Sequence, residues 1–347
     1  MWCVAGYDQV NALLRDRRLG RENRWGAPLN PVEGRRHLAD FDRIESGSLV
    51  NRAFVSRSVE RLRPRISTLA HELVDALPAD QPFDLLPSFA TPIPLTVICE
   101  LLGVPVNRAD DLLSWSHAMC EMYVPQRSRE TEERANRASA DFGAFLTAHI
   151  DEHRHNDAED LLSALIAVRD TGEKLTDDEL ISTCVLLLNA GHEATVHQTG
   201  NAVKTILDQG DDPCRFFETP ELAAASIEEA LRFDAPLHMF TRYAYEDIDL
   251  GPVSLKPGEQ VALLLGAANR DPSVFDAPDQ FRPGRADQKN VSFGAGLHFC
   301  IGAPLARLEL QESLAVLFSR LPDLKLEAVP RYRDSYHFHG LESLMVS

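Results

Sequence analysis

The chain has 347 residues, of which 44% are hydrophobic and 25% are charged, and its formal net charge is −18. This composition excludes a disordered polymer, a collagen-like fibre and a disulfide-stapled miniprotein. Because the chain is so acidic, we expect neither a nucleic acid nor an anionic membrane surface as its partner.

Most of the chain before residue 235 has the hydrophobic periodicity of amphipathic helices. The clearest start is that of a long helix, where Thr176 and Glu179 have the spacing of a capping box. Helices are predicted over residues 63–77, 96–102, 130–153, 160–168, 177–208 and 221–233.

The pattern changes to short strands after residue 240. A turn at 256–259 joins two of these strands as a hairpin. A loop rich in Pro and Asp (271–290) then leads into a Gly-rich segment (293–302), and a helix is predicted over 303–320. Strands are predicted over residues 240–245, 253–255, 261–265, 324–326 and 344–346.

These elements favour a single domain over residues 1–347 that is mainly α with a small β subdomain. No internal repeat, low-complexity tract or linker divides the chain. The helical parts are expected at residues 50–235 and 303–320. The β-rich parts are expected at residues 1–10, 240–265 and 324–347.

The sequence shows no signal for export or membrane insertion. Its apolar runs, such as 184–188 and 261–265, are far shorter than a membrane span, and its first residues do not resemble a signal peptide. The six cysteines are scattered without a Cys-x-x-Cys pair, as is typical of reduced thiols. We therefore expect a cytoplasmic protein without a membrane anchor.

The Gly-rich segment 293–302 is the most informative part of the chain. Gly294 and Gly296 lack a Cβ, which would let the backbone lie flat against a planar ligand. Cys300 precedes a predicted helix in which Pro304 suits the first turn, and a helix N-terminus stabilises a thiolate. A thiolate beside a flat ligand is the axial ligand that an iron porphyrin needs for O–O cleavage.

This segment resembles the haem-binding loop of the cytochrome P450 monooxygenases, whose pattern is Phe-Gly-x-Gly-x-His-x-Cys-x-Gly. Its fixed positions are all matched, by Phe293, Gly294, Gly296, His298, Cys300 and Gly302. The resemblance implies the cytochrome P450 fold and a haem b cofactor whose iron is bound by Cys300. It also implies that His298 and Arg242 bind a haem propionate, for which a charge-assisted contact from arginine is well suited.

A second match lies on the predicted helix 221–233. Glu229 and Arg232 are similar to the family's Glu-x-x-Arg, and Arg285 matches the third member of that charge network. An acid and a base three residues apart are commonplace on solvated helix faces, so this signal alone is weak. The resemblance implies a buried network in which the loss of one charge costs several kcal/mol.

The segment 190–195 of the long helix is similar to the family's oxygen-binding segment. The resemblance places Ala190 against the haem and gives Glu193 the delivery of protons, with Thr195 as a second candidate catalytic residue. The family usually has Thr directly after the acid, where this chain has Ala194. Because Thr195 lies about 100° further round the helix, the relay would use Glu193 with ordered water or a substrate hydroxyl.

Two histidine patterns suggest a metal site but are disfavoured. His192 and His197 frame a motif similar to the zinc-protease His-Glu-x-x-His, but with one residue too many, so they lie on different helix faces. His149, His153 and His155 include an i,i+4 pair, but their charged neighbours favour a solvated face.

The chain departs from the family pattern near its start. Residue 1 falls within an expected early strand, and the family's His-x-x-x-Arg for the second haem propionate is absent before the matching stretch 49–54. We therefore expect an N-terminally truncated chain with an internal deletion before Leu49. Three residues are candidates to replace the lost pair: Arg35, Arg36 and His37.

Together, the resemblance implies an oxidoreductase that inserts one oxygen atom from O2 into an apolar organic substrate. Its expected partner is a ferredoxin- or flavodoxin-type electron donor, and the protein is expected to be a monomer. Two alternatives remain open: a haem-binding protein without turnover, such as a carrier, sensor or decayed enzyme, and a peroxide-driven oxygenase. The donor is expected to dock on basic residues near the cysteine, namely Arg282, Arg285, Lys289 and Arg307.

Overall fold

The computed structural model describes residues 1–21, 54, 59–123, 128–154, 160–170, 176–251, 253–335 and 338–347 of the chain. Several expectations lie outside these residues. They are the deletion before Leu49, the substitutes Arg35, Arg36 and His37, and the solvated position of His155.

Helices dominate the described residues, as predicted. In chain order they are α1 (Tyr7–Arg15), α2 (Arg63–Asp75), α3 (Pro92–Leu101), α4 (Ala109–Cys120), α5 (Arg129–His153), α6 (Leu161–Asp170), α7 (Asp177–Leu207), α8 (Pro220–Phe233), the short α9 (Leu265–Ala268) and α10 (Ala303–Arg320). Every predicted helix is present with bounds within a few residues. The sequence analysis did not predict α1, α4 or α9.

The strands among the described residues form three small sheets. They are β1 (Trp2–Val4), β2 (Leu19–Gly20), β3 (Phe83–Asp84), β4 (Met239–Ala244), β5 (Ile248–Asp249), β6 (Ser254–Leu255), β7 (Gln260–Leu264) and β8 (Met345–Val346). The largest sheet has the order β1-β7-β4-β2, in which β1 runs parallel to β7 and the other pairs are antiparallel. In the tail, Leu326 bridges to Val346 as predicted, and β8 also pairs with β3.

The first β-rich part is shorter than the expected 1–10, because α1 already begins at Tyr7. The buried side chains Tyr7, Val10, Leu13 and Leu14 recur at helical spacing, so helix is the conformation that buries them on one face. They pack in a second, smaller core with apolar residues of the large sheet, which also includes Val291. This core supports the start of the Gly-rich segment.

The long helix α7 runs through the main helical core. Its capping box is present, with Thr176 Oγ1 accepting from the Glu179 N–H at 3.2 Å and the Glu179 carboxylate accepting from the Thr176 N–H at 2.8 Å. It packs against α3, α5, α6, α8 and α10, which explains why it is buried on most of its surface. No helix in the described ranges combines the length and apolar composition needed to cross a bilayer.

Candidate functional site

Cys300 ends a tight loop directly before α10. The Cys300 N–H donates to the Phe293 carbonyl at 3.0 Å, and a 3₁₀ turn over Gly296–His298 fills the loop between them. The Ala303 N–H donates back to the Cys300 carbonyl at 3.3 Å, and α10 begins at Ala303 with a proline in its first turn. The loop therefore holds the cysteine at the N-terminus of the helix, as predicted.

The electrostatic environment of the Cys300 thiol has two opposing parts. The side chain is solvent-accessible, yet it lies deep among protein atoms, and this desolvation raises the thiol pKa above its ordinary value. The backbone N–H groups of Gly302 and Ala303, together with Arg307, lower the pKa and offset the burial only in part. The predicted stabilisation by the helix N-terminus is thus present, and a bound metal ion would deprotonate such a thiol outright.

Two glycines of the loop occupy backbone conformations that other residues rarely adopt. Gly294 has φ +70° and Gly296 has φ +69°. A Cβ at Gly294 would lie 3.2 Å from the Phe240 ring, and a Cβ at Gly296 would lie 2.9 Å from Arg15 Cα and Leu14 O. Glycine is therefore required at both positions, because the loop packs closely against β4 and α1 and its backbone has positive φ. This reason differs from the one predicted from the sequence, which was contact with a flat ligand.

An apolar run surrounds the cysteine. Leu297, Phe299 and Ile301 are 80%, 46% and 37% exposed, and they alternate along the chain with His298 and Cys300. A cluster of exposed large apolar residues is typical of a binding surface rather than of an ordinary protein exterior. The loop therefore presents a sulfur donor among apolar side chains.

The three residues of the predicted charge network lie together and are buried. Arg232 and Glu229 form two parallel bonds of 2.8 Å, and the Arg285 Nε lies 2.9 Å from Glu229 Oε1. The side chains are 2%, 4% and 7% exposed for Arg232, Glu229 and Arg285. Further N–H groups of both arginines donate to backbone carbonyls of the loop 271–290, and Arg232 also donates to the Asn269 carbonyl just before it. Each buried charge is thereby compensated, and the loop is held against α8.

The structure places Arg242 and His298 beside the cysteine loop. Arg242 lies on β4, is 5% exposed and donates to the Thr241 carbonyl at 2.9 Å. Its guanidinium is 5.4 Å from the ring of Phe240, the residue against which Gly294 packs. His298 lies within the loop itself and is half-buried. The Arg242 guanidinium thus lies near the segment that carries the sulfur, and the His298 imidazole lies within it.

One face of α7 is open where the sequence has small residues. Leu186, Ala190 and Ala194 are spaced four residues apart, so they share a face, and all three are at least partly exposed. Gly191 lies on another face, where a Cβ would approach Ile98 Cγ1 to 2.8 Å. The alanines therefore leave space at an accessible surface, whereas the glycine allows α3 to pack closely.

Glu193 is buried among three imidazoles. His117 Nε2 lies 3.2 Å from Glu193 Oε2, His192 Nε2 lies 3.5 Å from the same oxygen, and His197 Nε2 lies 3.3 Å from Oε1. Burial would raise the pKa of this carboxyl, but the neighbouring imidazoles outweigh burial and lower the pKa below its usual range. Thr195 is also buried but lies about 200° round the helix from Glu193, so the two side chains face different directions.

The sequence analysis missed His117, because α4 was not predicted. The signal was present, since Leu112, Trp115 and Met119 recur at helical spacing within α4. His117 comes close to Glu193 only through the packing of α4 against α7, across 76 positions of the chain.

Two expectations about charged side chains are wrong. His153 was expected on a solvated face but is buried and bonds to Asp160 at 2.9 Å. The basic residues near the cysteine do not form a free positive patch, because each pairs with a nearby acid. The pairs are Arg282–Asp276, Arg285–Glu229, Lys289–Asp287 and Arg307–Glu228.

Comparison with known proteins gives the family. The cytochrome P450 family model matches residues 216–322. Cytochrome P450 107B1 of Saccharopolyspora erythraea is 37% identical over 369 aligned positions, which cover 99% of this chain and 88% of the relative. Mycinamicin IV hydroxylase/epoxidase of Micromonospora griseorubida is 38% identical, with 94% and 83% covered. Among solved structures, a myxobacterial cytochrome P450 in complex with myristic acid matches with a TM-score of 0.92 and 34% identity, over 100% of this chain and 89% of that one.

The chain belongs to the cytochrome P450 family. It is a haem-thiolate monooxygenase, an oxidoreductase that receives electrons from a redox partner and acts on an organic substrate. Its mainly α architecture with small sheets is the P450 fold, as predicted. Relatives named as hydroxylases do not favour the alternatives of a haem carrier or a peroxide-driven oxygenase.

The residues present fit the haem of this P450. The site supplies a cysteine sulfur at a helix N-terminus, an apolar run beside it, and the Arg242 guanidinium and the His298 imidazole for carboxylates. Ala190 and Ala194 supply small side chains on a partly exposed face of α7. Sulfur, apolar surface and cations are the three things that a thiolate-ligated porphyrin with propionates requires.

Proposed function

We propose that Cys300 is the thiolate ligand of the haem iron in this monooxygenase. The observation that carries this role is the position of its accessible sulfur, which the N–H groups of Gly302 and Ala303 contact at the start of α10. The loop that holds the sulfur is built by Phe293, Gly294, Gly296 and Gly302. When bound, the haem supplies oxygen activation, and electron donation by the thiolate favours O–O cleavage.

Arg242 and His298 are proposed to bind haem propionates. Arg242 is almost fully buried on β4, and a buried guanidinium is stabilised by a carboxylate partner. His298 belongs to the loop that carries the sulfur, so it reaches the same ligand from a second direction. Ala190 is proposed to lie against the haem because it is exposed on the small-residue face of α7.

Glu193 is proposed to pass protons to the reaction. Its carboxylate is buried and ionised at rest, and His117, whose side chain is 49% exposed, lies 3.2 Å from it. An imidazole that reaches solvent is suited to hand protons to a buried carboxylate near neutral pH. The Thr195 side chain faces another direction, so its position supports a catalytic role less than the position of Glu193 does.

The electron donor is proposed to be a ferredoxin- or flavodoxin-type protein that docks at the cysteine loop. Leu297 is 80% exposed beside Cys300 and offers an apolar contact next to the sulfur. The neighbouring cations are paired with acids. The rate of association with the donor should therefore depend less on salt concentration than it would with a free basic patch. We also propose that the protein is a monomer in the cytoplasm and that its substrate is an apolar small molecule.

Reconstitution with hemin tests the ligand. The reduced protein should give a red-shifted carbon-monoxide band, because thiolate ligation produces it, and Cys300→Ser should abolish that band. Cys3→Ser is the matched control, since Cys3 is also a free and exposed cysteine. If Cys300→Ser keeps the band while Cys3→Ser loses it, the assignment is overturned. Product formation with a ferredoxin and its reductase, compared with a flavodoxin and its reductase, identifies the donor class.

A further inference from the structure

The imidazoles around Glu193 leave buried nitrogens without hydrogen bonds. His192 is 1% exposed and His197 is 3% exposed. Within the part of the chain that the structure describes, His192 Nε2 and both ring nitrogens of His197 have no hydrogen-bond partner. A buried polar atom without a partner costs free energy, so each such atom requires an explanation.

The tautomer of His192 follows from its one hydrogen bond. His192 Nδ1 lies 2.8 Å from the carbonyl oxygen of Leu188, which can only accept, so Nδ1 carries the proton. In the neutral ring, Nε2 then has a lone pair, which faces Glu193 Oε2 at 3.5 Å. His192 Nε2 and Glu193 Oε2 are then two hydrogen-bond acceptors that face each other in a buried site, and a cation between them would stabilise both.

The spacing of these atoms matches a metal site. His117 Nε2, His192 Nε2 and one carboxylate oxygen of Glu193 all lie within 4.8 Å of one another. The distances to Glu193 Oε2 are 3.2 Å from His117 and 3.5 Å from His192. Zinc binds nitrogen and oxygen at about 2.0–2.2 Å, which in tetrahedral geometry separates two ligand atoms by roughly 3.4 Å.

The surroundings also orient the ligand atoms. The bond from His192 Nδ1 to a backbone carbonyl is the kind of contact that fixes the ring of a metal-binding histidine. His197 Nε2 lies 3.3 Å from the second carboxylate oxygen, Oε1, whereas His117 and His192 both approach Oε2. His117 also lines an open groove of about 430 Å³ between α4 and α5, so this ligand is reached from solvent.

We propose that His117 Nε2, His192 Nε2 and Glu193 Oε2 bind a zinc ion, with a fourth position left to water. This site differs from the disfavoured pair of His192 and His197, because the second imidazole comes from α4 rather than from the same helix. The ion would join α4 to α7. This consequence rests on the proposed proton role of Glu193: a bound ion would occupy that carboxylate and would therefore block turnover.

Zinc titration of the haem-loaded protein tests the site. Isothermal titration calorimetry with ZnCl2 should show one ion per chain, and X-ray absorption at the zinc edge should show two imidazole ligands. His117→Gln and His192→Gln should each weaken binding by at least about tenfold. His71→Gln, an exposed histidine on α2, should leave binding unchanged. No stoichiometric binding, or equal binding by His117→Gln, would overturn the site.

Two further readouts separate this proposal from the function. Because His117 is half-exposed, His117→Gln should keep the far-UV circular dichroism and haem spectrum of the parent, so its weaker binding is not unfolding. Relative to each protein's own rate without zinc, zinc should inhibit product formation by the parent but much less by His192→Gln, which keeps His117 and Glu193. If zinc binds and turnover continues, the metal site stands and the proton role of Glu193 fails. If zinc does not bind, only the metal site fails.

Discussion

The Nε of Arg285 lies 2.9 Å from Oε1 of Glu229, although 56 positions of sequence separate the two residues. This contact closes a buried network that also contains Arg232 and fixes the loop 271–290 against α8. The loop leads into the Gly-rich segment, so the network stabilises the approach to Cys300.

Glu229→Gln should lower the free energy of unfolding by about 3–5 kcal/mol, because it leaves two buried guanidinium groups without their anion. Urea unfolding measures the change. Glu60→Gln is the matched control, since Glu60 also pairs with an arginine three residues later, Arg63, but at an exposed position. The control should change the free energy by about 0–1 kcal/mol. Equal effects of the two substitutions would contradict a dominant role for burial.

The sequence predicted those parts of the fold that depend on local pattern. The bounds of α10 follow from Pro304 and from the apolar periodicity after it, and the capping box at Thr176 marked the start of α7. The contact between Glu229 and Arg285 was predicted by the family resemblance and not by the hydrophobic periodicity. Local pattern and family motif thus cover most of the helices and the cysteine loop.

What the sequence did not predict depends on contacts between distant segments. The surroundings of Glu193 include His117, which lies 76 positions away on an unpredicted helix. The prediction of a positive patch was wrong partly for the same reason, because Glu228, which pairs with Arg307, lies 79 positions before it in the chain. The acids that pair with Arg282 and Lys289 are close in sequence. A motif gives the residue type at a position but not the partners that folding brings to it.

Gly296→Ala should destabilise the cysteine loop and reduce haem occupancy. An added Cβ would meet backbone atoms of α1 at 2.9 Å, in a residue with φ +69°, so the helix must move or the loop must change conformation. We expect a loss of about 2–4 kcal/mol in the free energy of unfolding. Urea unfolding and the haem-to-protein absorbance ratio measure the two effects.

Gly143→Ala is the control for that substitution. Gly143 lies within α5, and a Cβ there would have no atom within 4 Å among the described residues. It should therefore stabilise the protein by up to about 1 kcal/mol, because alanine favours helix. If Gly296→Ala were as stable as the parent and bound haem fully, the close packing of the loop on α1 would not matter in solution.

Ala194→Thr should increase the fraction of electrons that appear in product. The substitution places a hydroxyl directly after Glu193, on the face of α7 that Ala190 shares. A hydroxyl there would supply a fixed proton donor next to the carboxylate, in place of ordered water. The ratio of product formed to reduced cofactor consumed measures this coupling. Ala194→Val has nearly the same shape without the hydroxyl, so an equal gain in that variant would assign the effect to packing.

The buried carboxyl of Glu309 should make stability depend on pH. The side chain on α10 is 1% exposed, and neither oxygen has a hydrogen-bond partner among the described residues. Burial raises the pKa of this carboxyl well above its ordinary value, so the folded protein holds a proton that the unfolded chain releases. The free energy of unfolding therefore falls as pH rises from the unfolded pKa towards the folded one.

Glu309→Gln removes this proton release while keeping the shape of the side chain. The variant should match the parent near pH 4.5 and exceed its free energy of unfolding at pH 7.5, by about 1.4 kcal/mol for each unit of pKa shift. Urea unfolding at the two pH values measures the difference. Glu218→Gln, at an exposed position, should change stability equally at both values. A Glu309→Gln variant whose advantage does not grow with pH would show that the carboxyl is ionised and paired in the folded protein.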